Sequence, residues 1–150
     1  MTIAFLVVDD NSEEREILAD LLRRAMPGAQ VIHAGDGDAA MAVLEERRLV
    51  PSLVFTDLAM AGGTGIDLIA GLRHVRWLER TPVAIVSDPL SDRDVMTAYR
   101  LGACAVLSKP ARLHEIRDVI REFAQPAKLM SAGTIQTGDP SELERRRRAA

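Results

Sequence analysis

Asp9 and Asp10 stand side by side directly after the apolar run FLVV, and Asp57 directly follows LVFT. Ser87 closes the run VAIV, and Lys109 with Pro110 comes just after CAVL. Adjacent carboxylates repel, and partial desolvation at the mouth of a core disfavours their ionisation further. Three carboxylates drawn to one place need a cation among them, and hard oxygen ligands select Mg²⁺ or Ca²⁺ over softer metals. Mg²⁺ takes one or two protein carboxylates and keeps waters and a phosphate oxygen as its other ligands. A lysine adds a point positive charge for an anionic oxygen. A serine hydroxyl can donate a hydrogen bond to the same group. Such a set is suited to holding a phosphoryl group, with Asp9 and Asp10 as metal holders. Taken singly, each residue has a plainer reading: a turn or cap for an Asp, solvated surface for a Lys before Pro, a helix cap for Ser87. Their joint placement is what carries the chemistry.

The elements that must position them come from the hydrophobic pattern. Apolar runs without alternation fall at residues 3–8, 31–34, 53–56, 83–86 and 104–107, as expected of strands covered on both faces. Between them lie helical stripes: Ile17, Leu18, Leu21, Leu22 and Ala25; Ala40, Val43 and Leu44; Ile66, Ile69 and Leu72; Val95, Ala98 and Leu101; and Leu113, Ile116, Ile120 and Phe123. Asn11 followed by Glu14 starts the first helix, and Met26-Pro27-Gly28 stops it. Asp36 and Asp38 open the second, and Gly102 closes the fourth. Five βα units with right-handed crossovers give a doubly wound α/β parallel sheet. The site crevice then lies at the carboxyl ends of the strands. Each strand bordering it ends in one of the polar residues above, whereas the second ends in Ala34-Gly35 and belongs at the sheet edge.

A length of 150 residues fits one domain, and 47% hydrophobic with 27% charged residues fits a soluble one. No apolar run approaches the roughly 20 residues that span a bilayer, and the start is too acidic for a signal peptide. A lone Cys104 fits a reducing cytosol, so a cytoplasmic location is expected, with Cys104 an inert small hydrophobe. The net charge of −3 argues against a nucleic-acid-binding surface; residues 125–150 carry +2 of it and residues 1–124 carry −5. From residue 125 the pattern becomes Gly/Pro-punctuated and reads as a linker, with a short terminal helix starting at Asp139-Pro140. The expected division is therefore a domain over 1–124 and a tail over 125–150. Arg145 to Arg148 read as a solvated helix end; His33, His74 and His114 show no ligand spacing; Trp77 reads as an ordinary residue just past the third helix.

The motifs VVDDN, VFTDLAMAGGTGIDLI, PVAIVS and GACAVLSKP resemble the receiver (REC) domain of two-component response regulators, in order and spacing, over about residues 3–124. The resemblance implies a flavodoxin-like (βα)5 fold with strand order 2-1-3-4-5. It implies Asp57 as phosphoacceptor, taking a phosphoryl group from a phosphohistidine on a sensor histidine kinase or phosphotransfer protein. It further implies Mg²⁺ held by Asp10, Asp57 and the backbone carbonyl of Ala59, with Asp9 acting partly through water. Lys109 would pair with the phosphoryl oxygens, preceding a cis bond to Pro110, and Ser87 would swing toward them after transfer. A downstream output domain or protein, and a homodimer, are compatible with the family. Neither membrane nor nucleic-acid binding is expected of the receiver itself, nor turnover of a separate substrate.

Three departures stand out. Ala61 replaces a usual Pro, Asp88 replaces a small residue beside the phosphoryl entrance, and Val106 replaces an aromatic residue three before Lys109. They leave the chemistry in place and bear on how the signal leaves the domain, so a phosphoryl relay or sink with little conformational output is the alternative. A metal-dependent phosphatase using an aspartyl phosphate would need a second Asp where Ala59 stands. A flavin carrier of the same topology would need a hydroxyl- and glycine-rich loop where DDNSEER would repel phosphate. Neither G-x-x-x-x-G-K-[ST] nor G-x-G-x-x-G occurs.

Overall fold

The computed structural model describes residues 2–60 and 62–130. Its core is a five-stranded parallel sheet: β1 (Ala4–Val8), β2 (Gln30–Ala34), β3 (Leu53–Thr56), β4 (Val83–Ser87) and β5 (Ala105–Ser108), in the order β2-β1-β3-β4-β5. Helices α1 (Ser12–Ala25), α2 (Gly37–Arg47), α3 (Gly65–His74), α4 (Asp92–Arg100) and α5 (Leu113–Phe123) follow the strands in turn. This is the flavodoxin-like order expected for the family.

Strands β1, β3 and β4 are wholly buried, which explains their unbroken apolar sequences. Alternate residues serve the two faces. Ala4, Leu6, Val8, Val54 and Ile85 pack with Ala40 and Leu44 of α2 and with Leu68, Ile69 and Leu72 of α3. Phe5, Val7, Phe55 and Val86 pack on the other face with Leu22 of α1 and with Ile116, Val119 and Ile120 of α5. The Phe5 and Phe55 rings meet edge to face, 6.0 Å between centroids. Burying each such side chain stabilises the fold by roughly 1.5–3 kcal/mol.

Local signals set the helix ends. The Asn11 side chain accepts hydrogen bonds from the Glu13 and Glu14 N–H groups, and Asp36 accepts from Ala39. Thr64 and Asp67 form a reciprocal capping box on α3. Gly102 ends α4 at φ +113°, a conformation open to glycine.

The register aligns the strand ends. Val8 pairs with Ala34 on one side and Thr56 on the other, Thr56 with Ile85, and Ser87 with Ser108. Residues 9, 57, 88 and 109 therefore emerge together at one edge. The Asp57 N–H donates to the Val8 carbonyl and the Lys109 N–H to the Ser87 carbonyl, so the backbone itself ties these exits together.

Some expectations are corrected. Ile17 was expected under α1 but is 60% exposed, because it borders the open cleft above the sheet rather than the core. Leu101 lies exposed at the end of α4, where Ala98 is the buried residue. Trp77, by contrast, keeps its ordinary reading, half-buried against the α2/α3 face of the core. Residues 125–130, expected to be linker, run back beneath the sheet instead. Gln125 N–H donates to the Ser52 carbonyl and Ala127 N–H to the Thr2 carbonyl, and Lys128–Leu129 pairs antiparallel with Leu49–Val50. A two-residue ladder is too short to leave a period in the sequence. The expected terminal helix and the run from Arg145 to Arg148 lie outside the described residues.

Candidate functional site

At the carboxyl edge of the sheet, Lys109 is the centre of the site. Its ammonium donates to Asp9 Oδ2 at 2.9 Å, Asp57 Oδ2 at 2.9 Å and Glu14 Oε2 at 2.5 Å. An ammonium has three N–H donors, and three carboxylates take them. Burial alone would lower the Lys109 pKa, but its hydrogen bonds to Glu14, Asp9 and Asp57 outweigh that and hold it above the ordinary lysine range. A lysine pKa raised on folding contributes stability below the unfolded value and loses it only as pH climbs through the folded one. Lys109 therefore stays charged throughout the neutral range. The Lys109–Pro110 peptide bond is cis, as expected.

Asp9 is almost fully buried, and its second carboxylate oxygen accepts from the Asn11 N–H at 2.9 Å. Arg15 donates to the Asp9 backbone carbonyl at 2.6 Å, fixing the turn into α1. Asp57 is held from behind by close packing. Gly65 N–H donates to the Leu58 carbonyl, and a Cβ on Gly65 would lie 2.5 Å from the Asp57 carbonyl oxygen. Only glycine lets the start of α3 approach this closely.

Asp9, Asp10 and Asp57 each offer a carboxylate oxygen, all within 4.8 Å of one another. Hard oxygen donors at that spacing fit a hard divalent cation. Ala59 sits two residues beyond Asp57, in a short ladder in which Ala59–Met60 pairs with Gly63–Thr64. Ser87 is buried, and its hydroxyl donates to the Asp88 backbone carbonyl at 2.7 Å, not to any of the carboxylates. Thus Asp9, Asp10, Asp57 and Lys109 converge, while the Ser87 hydroxyl is engaged with the Asp88 carbonyl.

A cleft of about 310 Å³ opens over this cluster. Asp9, Glu14, Asp57, Asp88 and Lys109 supply its polar wall, while Ile17, Leu18, Leu21, Val86, Pro110 and Ala111 supply the apolar one. Glu14 escaped the sequence reading, which used it only as a helix-start residue. A signal was present: Glu14, Leu18 and Leu21 follow i, i+4, i+7 spacing, so the acid sits at the head of the stripe facing the cleft. The plain readings hold elsewhere. Burial pushes the Cys104 thiol up to about 11, leaving it protonated and unreactive. His74 bonds the Ala70 carbonyl within its own helix, and His33 lies 3.8 Å from Glu16.

A five-stranded doubly wound sheet with an acidic cluster and a lysine at its carboxyl edge defines a receiver-type domain. The chain matches the response regulator receiver domain over residues 5–121 and belongs to that family. It is similar to the two-component response regulator-like PRR37 of rice (Oryza sativa subsp. japonica), 30% identical over 118 residues, which are 79% of this chain but 16% of that protein. The fold matches the chemotaxis protein CheY4 of Vibrio cholerae, with a TM-score of 0.73 and 23% identity over 82% of this chain and 99% of that one. It also matches the Mn²⁺-bound form of response regulator Rcp1, with a TM-score of 0.69 and 22% identity over 86% and 99% of the two chains. Among the described residues no helix is long and apolar enough to cross a membrane.

Proposed function

We propose that this receiver takes a phosphoryl group onto Asp57 from a phosphohistidine of a sensor histidine kinase or phosphotransfer protein, and that the modified domain changes its partner contacts. In the transfer, an Asp57 carboxylate oxygen forms a bond to phosphorus, the phosphorus–nitrogen bond of the donor breaks, and the released imidazole takes up a proton. The observation that supports this reading is the Lys109 ammonium held 2.9 Å from both Asp9 and Asp57, beside carboxylate oxygens spaced for a divalent cation.

Asp10, Asp57 and the Ala59 carbonyl would hold Mg²⁺, with Asp9 contributing partly through water. The Mn²⁺-bound state of the related Rcp1 structure is in keeping with a divalent ion here. When bound, that ion supplies positive charge against the transferring phosphoryl oxygens. The chain's own residues do the rest. Lys109 neutralises one phosphoryl oxygen and keeps its proton, since its pKa is raised. Ser87 turns its hydroxyl from the Asp88 carbonyl to another. Ile17, Leu18 and Pro110 give the cleft an apolar wall on one side. The domain promotes its own phosphorylation and hydrolysis and turns over no separate substrate. A reducing cytoplasm suits the unpaired Cys104.

Mass spectrometry after incubation with acetyl phosphate and Mg²⁺ tests the assignment. One phosphoryl group is expected on the wild type, on Asp57, with none in the absence of divalent cation. Stoichiometric label on the Asp57→Asn variant would overturn it.

A further inference from the structure

The Lys109 ammonium has no donor to spare: Asp9, Asp57 and Glu14 each accept one of its hydrogen bonds. Two of these partners have other parts in the proposed transfer, Asp9 toward the metal and Asp57 as the residue that takes the new group. Glu14 has neither part. It stands on the first turn of α1, its helix position fixed by the Asn11 cap, and its side chain is 42% exposed. We infer that Glu14 is a positioning residue that tethers Lys109 and competes with the phosphoryl group for it, setting how strongly the site holds that group. The inference rests on the phosphoacceptor reading of Asp57.

Two effects of one carboxylate act in the same direction. A phosphoryl oxygen gains its hydrogen bond to Lys109 only by displacing an existing acceptor, and Glu14 is the acceptor of the three that has no other part in the proposed transfer. The Glu14 charge also lies on the wall of the cleft that the anion enters, together with Asp88. Replacing Glu14 by Gln keeps its length and the cap at its N–H but removes the charge. A pair this exposed is worth up to about a fivefold change in an equilibrium, and salt screens it.

The test uses beryllofluoride, a non-covalent mimic of a phosphoryl group on a carboxylate, titrated into the full chain with saturating Mg²⁺. Glu14→Gln is expected to bind it about fivefold more tightly than the wild type at low ionic strength, with the two affinities converging near 1 M salt. In the protein without beryllofluoride, the ¹⁵N signal of the Lys109 ammonium should be sharp in the wild type and broadened by faster proton exchange in Glu14→Gln. Equal affinities at low salt would overturn the inference alone. So would a difference that survives at 1 M salt, which would mark a structural effect of Glu14, or an unchanged ammonium signal. Absence of binding in both proteins would overturn the acceptor reading and the inference with it.

Discussion

The Tyr99 hydroxyl on α4 accepts a hydrogen bond, 3.2 Å long, from the backbone N–H of Val106 on the edge strand β5. An edge strand leaves such donors open, and here a side chain closes one. The link between α4 and β5 therefore runs through the Val106 backbone, while the Val106 side chain packs, half-buried, against the core. A valine is largely confined to one rotamer and has no large surface to swing in or out. Phosphorylation moves an equilibrium only as far as it distinguishes two states. On the proposed reading Ser87, whose hydroxyl donates to the Asp88 carbonyl in this structure, would be the part that distinguishes them, by turning to a phosphoryl oxygen. Amide hydrogen exchange with and without beryllofluoride should change most at residues 87–90 and little at Val106 and Tyr99. Strong protection changes at Val106 with a silent 87–90 segment would contradict this and point to an output route through β5.

Removing one ligand tests the metal cluster. Asp9, Asp10 and Asp57 bring three carboxylate oxygens within 4.8 Å of one another. Mg²⁺ sheds its waters reluctantly and needs anionic oxygens to do so. If Asp10 holds the ion as proposed, Asp10→Ala should weaken Mg²⁺ binding by about tenfold or more, at least the loss typical of an outer-shell partner, as read by isothermal calorimetry. Wild-type affinity in that variant would assign the acidic pair another purpose.

Asp88 lines the same cleft as Asp57 and Lys109. Its carboxylate repels an incoming dianionic donor across an aqueous path, so the repulsion should fade as the Debye length shrinks from about 10 Å at 0.1 M salt to about 3 Å at 1 M. Asp88→Ala should therefore take phosphate from acetyl phosphate several-fold faster at low ionic strength and at nearly the wild-type rate at high. Parallel rates across the whole salt series would refute the effect.

Gly65 is a steric requirement. A Cβ there would stand 2.5 Å from the Asp57 carbonyl oxygen and 3.3 Å from the Leu58 Cα, both backbone atoms with little freedom to yield. Gly65→Ala should lower stability by about 1–3 kcal/mol, the usual penalty of overpacking, and thermal denaturation will read it as a fall in Tm. Because the displaced backbone carries Asp57, phosphorylation by acetyl phosphate should slow as well. An unchanged Tm would mean that α3 can retreat without disturbing β3.

The sequence alone determined the sheet and the acid–lysine site, for reasons of pattern. Buried parallel strands such as FLVV and LVFT must be apolar on both faces, and polar residues at their ends can only face the carboxyl edge. Local chemistry likewise announced the ends of α1 and α2, because Asn11 and Asp36 cap through hydrogen bonds to residues two or three away. What the sequence left undecided depends on partners distant along the chain. Glu14 meets Lys109 across 95 positions; its spacing with Leu18 and Leu21 shows the helix face it shares, but not the partner it meets there. Ile17 keeps the spacing of its core-facing neighbours yet opens onto the cleft, because only the packed arrangement of α1 against β1, β2 and α5 defines where the core ends. Residues 128–129 carry no strand signal and form a ladder only because Leu49–Val50 offers an edge beneath the sheet. Local hydrogen bonding and periodicity are written in neighbouring residues, whereas these three features arise when separate segments share one surface, which the tertiary structure alone decides.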